Sequence, residues 1–354
     1  MKISSLTLVG FVTALSVAAA GAQTGTTGAA QGAPATKAAP AATPPLQLNS
    51  LDPTTKADPF PPVNLKYFTA SSPTVDTVNT FLKTLWGYDP NRIWRVEAIQ
   101  TTAAPGVSKV IVFVSDRSPN AKVQTTAFFV TPDGKHAIAD SSGVISFGAT
   151  PFADNRKLLQ ARADGASRGA ASKDFLLVEF ADMQCPHCKE AQATMDQLVK
   201  DFPNARVVFQ SFPLVDIHPF AFKAAAYGYC VQKQKNDAFF PYAAAVFEAQ
   251  AALTPETGDQ TLKNAVTKAG LDPAAIDACA ATQAIKDQVN ASLKLGDEIG
   301  VDQTPLLAVN GHLLPLAQVP YETLKTIIAY QAVMDGVNTG AAASGVVNPP
   351  TLGK

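Results

Sequence analysis

Two cysteines separated by two residues are the part of this sequence best suited to chemistry. They form the segment Cys185-Pro186-His187-Cys188, which follows an apolar run typical of a buried strand and opens a predicted helix. The helix dipole and the free N–H groups of its first turn favour negative charge on Cys185. Pro186 suits the first helical position, and His187 can add a positive charge or a hydrogen-bond donor. These effects lower the pKa of a thiol, so we expect Cys185 to attack and Cys188 to be the buried resolving thiol.

Other chemistries of a cysteine pair fit the sequence less well. A zinc site needs a second pair of ligands, and Cys230 and Cys279 lie far apart along the chain, unlike the spacing of a zinc ribbon or finger. A c-type haem site needs a histidine after the second cysteine, where this chain has Lys189. A purely structural disulfide remains open as an alternative. We therefore expect a redox-active dithiol that uses neither a metal nor a cofactor.

Length and composition limit the classes of protein further. With 354 residues the chain is expected to form about two domains. Its 28 lysines and arginines nearly balance 29 aspartates and glutamates, which argues against a nucleic-acid partner. Hydrophobic residues make up 47% of the chain, enough to build cores, so collagen-like and wholly disordered classes are excluded.

The two ends of the chain differ in composition from its middle. Residues 1–22 are predicted to be a cleavable signal peptide, because Lys2 precedes an apolar run and Ala20-Gly21-Ala22 offers a cleavage site. An uncleaved membrane anchor is the alternative, but the run is about 15 residues, against roughly 20 for a membrane span. A periplasmic or secreted protein is therefore expected. Residues 23–62 are predicted to be a disordered linker rich in Pro, Ala and Thr, and residues 336–354 a flexible tail.

Residues 63–158 are predicted to form a small α+β domain. Apolar residues recur at helical spacing over Val75–Leu85. Strand-like segments follow, and the domain has no cysteine, so we expect it to bind or dimerise rather than catalyse. The polar stretch 154–173 is predicted to link it to the next unit. The strand-like segments are Ile93–Thr101, Val107–Ser115, Lys122–Thr131 and Ala137–Phe147.

Residues 173–335 carry the dithiol in a pattern that alternates strands and helices. A helical stretch at about 217–300 interrupts this pattern, and Asn310-Gly311 signals a two-residue hairpin. The predicted elements are strand Phe175–Phe180, helix Pro186–Asp201, strand Ala205–Phe212, strand 305–309 and helix Tyr321–Met334.

The segment from Glu179 to Cys188 resembles the active-site segment of DsbA-type thiol:disulfide oxidoreductases. A second motif, Thr304-Pro305 before a strand and hairpin, resembles the cis-proline loop of that family. The resemblance covers residues 173–335. It implies an α/β, thioredoxin-like fold with an inserted all-helical domain, here preceded by the small α+β domain. It also implies a cis bond before Pro305, packing of Pro305 against the dithiol, and contact of Thr304 and Pro305 with substrate.

The resemblance also suggests a role for Glu179, because the family keeps a buried acid beneath the dithiol. A carboxyl group in an apolar strand should have a raised pKa and could relay a proton to or from Cys188. The alternative is that Glu179 pairs structurally with a lysine or an arginine.

The remaining cysteines and histidines are expected to lie outside the reaction. Cys230 and Cys279 fall in the helical stretch, and we expect a structural disulfide between them because two free thiols risk misoxidation in an oxidising compartment. Two separate buried thiols are the alternative. His218 and His312 are predicted to be non-catalytic loop residues, since neither has a carboxylate or cysteine partner close in sequence.

The direction of exchange is suggested by features that disagree. The Pro-His pair inside the dithiol resembles the oxidase, whereas Thr304 and the added N-terminal domain resemble periplasmic isomerases such as DsbC and DsbG. Because the dithiol sets the reduction potential directly, we expect a protein that donates disulfides, with an isomerase or reductase as the alternative and a substrate-binding chaperone as a rival from another class. The expected partners are folding secreted proteins with cysteines, a membrane redox partner, and a second copy bound through the N-terminal domain.

Overall fold

The structure, a computed structural model, describes residues 59–118, 120–139 and 143–338. The predicted signal peptide and most of the predicted linker and tail lie outside the described residues. No helix within the described ranges is long and apolar enough to cross a membrane.

The first unit is one helix packed on an antiparallel meander. Helix α1 (Val75–Trp86) begins after Thr74, whose side chain accepts a hydrogen bond from the N–H of Thr77. Its apolar face is buried against the sheet, where the Phe81 and Phe128 rings lie 6.0 Å apart. The sheet order follows the chain order, as expected when short turns join successive strands. Its strands are β1 (Arg92–Thr101), β2 (Ser108–Asp116), β3 (Gln124–Val130), β4 (His136–Ala139) and β5 (Gly143–Ser146).

The second unit is built on a mixed five-stranded sheet. Its order is β10-β9-β7-β8-β6, in which β7 and β8 are parallel and the other pairs are antiparallel. Asn310 and Gly311 both have positive φ and form the turn between β9 and β10, so the predicted hairpin is present. The strands are β6 (Ala166–Gly169), β7 (Leu176–Ala181), β8 (Arg206–Ser211), β9 (Leu306–Val309) and β10 (His312–Pro315).

The polar stretch predicted to be a linker instead belongs to the second unit. Helix α2 (Ala153–Arg162) buries Leu159 completely, and β6 pairs with β8 as the edge strand of the second sheet. The second unit therefore begins before residue 173. The stretch carries a short helical stripe at Leu158, Leu159 and Arg162, which agrees with α2, but a four-residue edge strand leaves almost no apolar periodicity, which is why the sequence pattern missed β6.

Helices cover both faces of this sheet. A further group of helices between β8 and α8 (Gln283–Ile299), called the inserted helices, packs around an apolar cluster of its own. The alternation of side chains along β7 sends Leu177 toward α3 (Pro186–Asp201) and α9 (Tyr321–Met334). It sends Leu176 and Val178 toward α2 and α8. The helices that follow α2 are α3 (Pro186–Asp201), α4 (Ala221–Gln234), α5 (Phe239–Glu248), α6 (Gly258–Lys268), α7 (Pro273–Ala280), α8 (Gln283–Ile299) and α9 (Tyr321–Met334), with short 3₁₀ turns at Asn236–Ala238 and Gln250–Ala252.

The two units are in contact through α1 and α9. The hydroxyl of Tyr330 on α9 donates to the carbonyl of Lys83 at 2.8 Å. Gly87 sits at this contact, since a Cβ there would lie 2.1 Å from the Tyr330 hydroxyl.

His312, expected in a loop, lies on β10, where its ring stacks on Phe152 with centroids 4.2 Å apart. Burial lowers the pKa of His312 to about 4, so its ring is neutral.

Candidate active site

The dithiol lies where strand β7 passes into helix α3. Cys185 is the residue before the first helical turn, and Pro186 takes the first position inside the helix. Both thiols are free and buried, with Cys185 5% exposed and Cys188 fully buried. Cys188 follows one turn into the helix, so the two sulfurs share one end of α3.

The surroundings favour a thiolate at Cys185. A hydrogen bond from the Cys188 thiol is the main cause that lowers the pKa of Cys185 to about 5, and the Thr304 side chain and the N–H groups of Cys188 and His187 act in the same direction. Burial opposes them. The predicted effect of the free N–H groups is therefore present, although the neighbouring thiol contributes more.

The surroundings of Cys188 have the opposite effect. Burial is the main cause that raises its pKa, and the hydrogen bond to Cys185 and the charge of Glu179 raise it further. The backbone N–H of Asp182, 3.4 Å from Cys188 Sγ, lowers it. At neutral pH one sulfur is therefore a thiolate and the other a thiol, as a nucleophile and a resolving group require.

The side chain of His187 interacts with Glu190 and with the charge of Cys185. It is exposed and its Nδ1 lies 3.0 Å from Glu190 Oε2, a contact that is the main cause of its raised pKa. Its backbone N–H lowers the pKa of Cys185, and the charge of Cys185 in turn raises the pKa of His187, so the effect of a positive charge beside the thiolate stays a prediction. The imidazole faces the carboxylate one turn along because residues three apart share a helix face.

Glu179 lies beneath the dithiol on the face of β7 that meets α3. Its carboxylate accepts a hydrogen bond from Gln192 Nε2 at 2.8 Å, and the same nitrogen donates to the Cys188 carbonyl at 2.9 Å. Burial raises the pKa of Glu179 to about 7, although this hydrogen bond and the charge of Arg168 oppose the shift. The nearest carboxylate contact of Arg168 is with Asp196, at 2.5 Å. Glu179 is thus hydrogen-bonded to an amide, and the alternative of a direct ion pair with lysine or arginine is not what the structure contains.

The loop before β9 meets the dithiol from the other side. The peptide bond between Thr304 and Pro305 is cis, and the carbonyl oxygen of Thr304 lies 3.7 Å from Cys185 Sγ. Thr304 and Cys185 are 119 residues apart in sequence, and the pairing of β7 with β9 brings them together.

Four polar side chains at this loop were given no role from the sequence, and one of them, His218, was predicted to be a non-catalytic loop residue. Gln250 donates to the carbonyls of Met183 and Cys185 at 2.9 Å each, so the 3₁₀ turn after α5 holds the loop that leads into the dithiol. The side chain of Gln184 bonds the loop to the inserted helices, since it accepts from the N–H of Phe220 and donates to the carbonyl of Leu253. The other two, Asp182 and His218, form a contact of 2.7 Å. The residues of each contact lie 36 to 69 residues apart, which sequence spacing does not reveal.

Cys230 and Cys279 lie away from this loop and are joined in a disulfide between α4 and α7. Cys230 is fully buried in the apolar cluster of the inserted helices. For metals, the part of the chain that the structure describes contains no group of three or more His, Cys, Asp or Glu side chains arranged to hold an ion.

The second unit, which carries the dithiol, matches a known protein family. Residues 163–329 match the family model described as thioredoxin. This part of the chain is therefore similar to that family. The predicted thioredoxin-like fold with inserted helices is confirmed by this match together with the sheet order. The matched segment begins at Ala163, in agreement with the inclusion of β6 in the second sheet.

Several solved structures resemble about half of this chain. A periplasmic thioredoxin-like protein from Salmonella enterica serovar Typhimurium is 22% identical, with 51% of this chain and 96% of that chain covered and a TM-score of 0.43. ScsC of Proteus mirabilis in a transitional conformation is 21% identical, with coverages of 51% and 78% and a TM-score of 0.44. The thiol-disulfide exchange protein α-DsbA2 of Wolbachia pipientis is 20% identical, with coverages of 49% and 94% and a TM-score of 0.42.

Two curated proteins match a short segment of the chain. The Na(+)/H(+) antiporter NhaA 1 of Salinispora arenicola is 40% identical over 58 residues, and NhaA 3 of Salinispora tropica is 38% identical over 58 residues. The segment is 16% of this chain and spans only 9% of the length of either antiporter.

Proposed function

We propose that this protein is a thiol:disulfide oxidoreductase that introduces disulfides into folding exported proteins through Cys185 and Cys188. The observation that carries the proposal is the opposite displacement of the two thiol pKa values, with Cys185 lowered to about 5 and Cys188 raised. A stabilised thiolate favours the reduced dithiol, and a site that favours its reduced form is an oxidant toward other thiols.

The proposed reaction begins with the Cys185–Cys188 disulfide. A substrate thiolate attacks Cys185 Sγ, a substrate–Cys185 bond forms, the Cys185–Cys188 bond breaks, and its electron pair leaves on Cys188, which takes a proton. A second substrate thiolate then attacks the substrate sulfur of the mixed disulfide. Cys185 leaves as a thiolate, so the substrate is oxidised by two electrons and the dithiol is reduced. The low pKa of Cys185 makes it a good leaving group in this last step.

Glu179 is proposed to carry the proton that Cys188 gains and loses. Its pKa of about 7 suits transfer near neutral pH. The carboxyl group and Cys188 are linked by the side chain of Gln192, which bonds both Glu179 and the Cys188 carbonyl.

Thr304 and Pro305 are proposed to contact the substrate chain. The Thr304 carbonyl lies beside Cys185 Sγ, so a substrate strand whose cysteine is bonded to Cys185 would run along this backbone. Backbone pairing of this kind accepts many sequences, because the N–H and C=O groups of any extended peptide can take part.

A disulfide isomerase is the alternative function that uses the same thiol–disulfide chemistry. A threonine before the cis-proline and an added domain are the features that favour it. The proposal includes two partners and a location. The partners are a second copy bound through the N-terminal unit and a membrane protein that reoxidises or reduces the dithiol, and the location is the periplasm or the exterior of the cell. A chaperone is the rival from another class, and exposed apolar side chains on the unit, such as Leu65 and Val144, favour it.

The test is oxidative refolding of a reduced, unfolded protein with disulfides, with the full chain present in catalytic amount and glutathione disulfide as the oxidant. The Cys185→Ser variant should lose turnover completely, whereas the wild type accelerates refolding. Suppression of aggregation is measured in parallel. If Cys185→Ser suppresses aggregation as well as the wild type and the wild type shows no turnover, the chaperone is the correct function.

A further inference from the structure

Asp182 connects three backbone segments at the base of the dithiol. It follows strand β7 directly, and its side chain is completely buried. One carboxylate oxygen, Oδ1, accepts from the N–H of Gln184 at 2.7 Å. The other, Oδ2, accepts from the N–H of Leu214 at 2.8 Å and faces Nδ1 of His218 at 2.7 Å. A buried carboxylate needs such donors, because without them its burial would be costly.

The backbone of the same residue meets the resolving cysteine. The N–H of Asp182 donates to Cys188 Sγ at 3.4 Å. Since the carboxylate is held on one side by His218 and Leu214, and on the other by Gln184, the peptide group of Asp182 has little freedom to turn. The direction of its N–H is therefore coupled to the contacts of its side chain.

We propose that His218 is a positioning residue that acts through the Asp182 carboxylate to keep the Asp182 N–H directed at Cys188 Sγ, where it stabilises the thiolate that leaves during exchange. The proposal rests on the proposed function, since it concerns the step in which Cys188 departs. In that step an incoming thiolate bonds to Cys185 Sγ, the Cys185–Cys188 bond breaks, and its electron pair moves to Cys188. A hydrogen bond to a charged sulfur is stronger than one to a neutral thiol, so the N–H contributes most at that moment.

The Asp182 N–H matters because the other surroundings of Cys188 disfavour a thiolate there. Burial, the hydrogen bond to Cys185 and the charge of Glu179 all raise the pKa of Cys188, whereas the Asp182 N–H lowers it. His218 is 16% exposed, so its side chain can be changed at lower risk to folding than the fully buried carboxylate that it holds. It lies in the loop after β8, outside the dithiol segment, which is why the sequence offered no reason to connect it with Cys188.

The first experiment compares two substitutions at His218 in the full chain. His218→Asn keeps an N–H donor near the position of Nδ1, and His218→Phe fills similar space without a donor. The oxidised proteins are mixed with excess reduced glutathione, quenched with acid at intervals, and the loss of the Cys185–Cys188 disulfide is followed by mass spectrometry. We expect His218→Phe to slow this reaction at least about tenfold and His218→Asn to stay within about threefold of the wild type. Equal rates for the wild type and His218→Phe would overturn the proposal, as would a failure of His218→Asn to restore the rate.

A control separates this role from a general structural one. In a Cys188→Ala background no thiolate leaves from residue 188, and Cys185 reacts alone with glutathione disulfide. Adding His218→Phe to that background should change the rate less than about twofold. A loss as large as in the first experiment would mean that His218 merely supports the fold of the loop, and the proposal would be wrong.

A second variant covers the case in which His218→Phe does not fold. In Asp182→Asn the new NH₂ group replaces one of the two carboxylate oxygens, and each of these oxygens accepts a hydrogen bond from a backbone N–H. The variant should therefore slow the reduction of the Cys185–Cys188 disulfide by glutathione, whereas the same substitution in the Cys188→Ala background should leave the rate unchanged. A normal rate in Asp182→Asn would count against the proposal. A wild type that does not react with glutathione would instead refute the proposed function, so the two failures are distinguishable.

Discussion

The two cysteine pairs of this protein have the same residue types and opposite surroundings. Cys185 and Cys188 lie two residues apart at a strand–helix junction, remain free thiols, and are reached by backbone N–H groups and polar side chains. Cys230 and Cys279 are 49 residues apart, lie on two packed helices and are joined as a disulfide. Cys230 is enclosed by apolar side chains of the inserted helices.

The difference shows how backbone position decides the chemistry of a cysteine. At the start of α3 the N–H groups have no partner inside the helix and can bind a thiolate. Within α4 the N–H groups are already used in the helix ladder, so a thiolate at Cys230 would be buried without donors. The first pair is therefore suited to accept and release charge, and the second pair to remain oxidised.

The largest expected difference between the pairs is their reactivity toward alkylating reagents. At pH 6 a thiol with a pKa of about 5 is mostly thiolate, whereas an ordinary thiol with a pKa of about 8.5 is roughly 0.3% thiolate. After mild reduction, iodoacetamide should modify Cys185 first, with a midpoint near pH 5, and leave Cys188 unmodified. Cys230 and Cys279 should remain linked. Peptide mapping identifies the sites, and a midpoint near 8.5 or faster labelling of Cys188 would contradict the comparison.

The second difference is the sign of each disulfide's effect on stability. Removing the Cys230–Cys279 link with a Cys230→Ala/Cys279→Ala double variant should lower the free energy of unfolding by about 4 kcal/mol, because a link across 49 residues restricts the unfolded chain. Reducing only Cys185–Cys188 should raise it, because the folded state stabilises the Cys185 thiolate. Urea unfolding of the three forms tests both signs. A less stable reduced form would point to a structural disulfide at the dithiol or to a reductase.

The advantage of the reduced form should also depend on pH. The pKa of Cys185 is about 5 in the folded protein and near 8.5 in the unfolded chain, so the stabilisation is fully present above pH 8.5 and is lost as the pH falls toward 5. Each unit within that window should remove up to about 1.4 kcal/mol. Unfolding of the reduced and oxidised forms at pH 5, 6, 7 and 8 measures the change. A constant gap between the forms would mean that the thiolate is not what stabilises the reduced state.

The sequence predicted features whose signal is local and missed those that tertiary structure creates. The helix at Pro186, the turn at Asn310-Gly311 and the apolar strand before the dithiol each have a short pattern with a physical cause. Edge strand β6 and the contact of Asp182 with His218 have none, because pairing between distant segments, and not spacing along the chain, makes them. His187 shows a third case, since the sequence suggested its charge beside Cys185 but did not reveal that helix geometry also brings the ring to Glu190.

The smallest predicted effect concerns Glu179, which links the dithiol to the sheet below it. Burial raises its pKa to about 7 from an unfolded value near 4.3, so its ionisation destabilises the fold progressively between those pH values and fully above pH 7. Glu179→Gln keeps an acceptor for Gln192 and has no charge to bury. At pH 8 the variant should therefore be more stable than the wild type by about 1 to 2 kcal/mol, and at pH 4 the two should be equal. Exchange with glutathione should nevertheless be slower, and its rate should lose the inflection near pH 7, because the group proposed to exchange a proton with Cys188 is gone. Urea unfolding and the rate profile are measured on the same preparations. A variant that is no more stable at pH 8 would show that the ionisation of Glu179 does not destabilise the fold, and an inflection that persists would assign the proton transfer to another group.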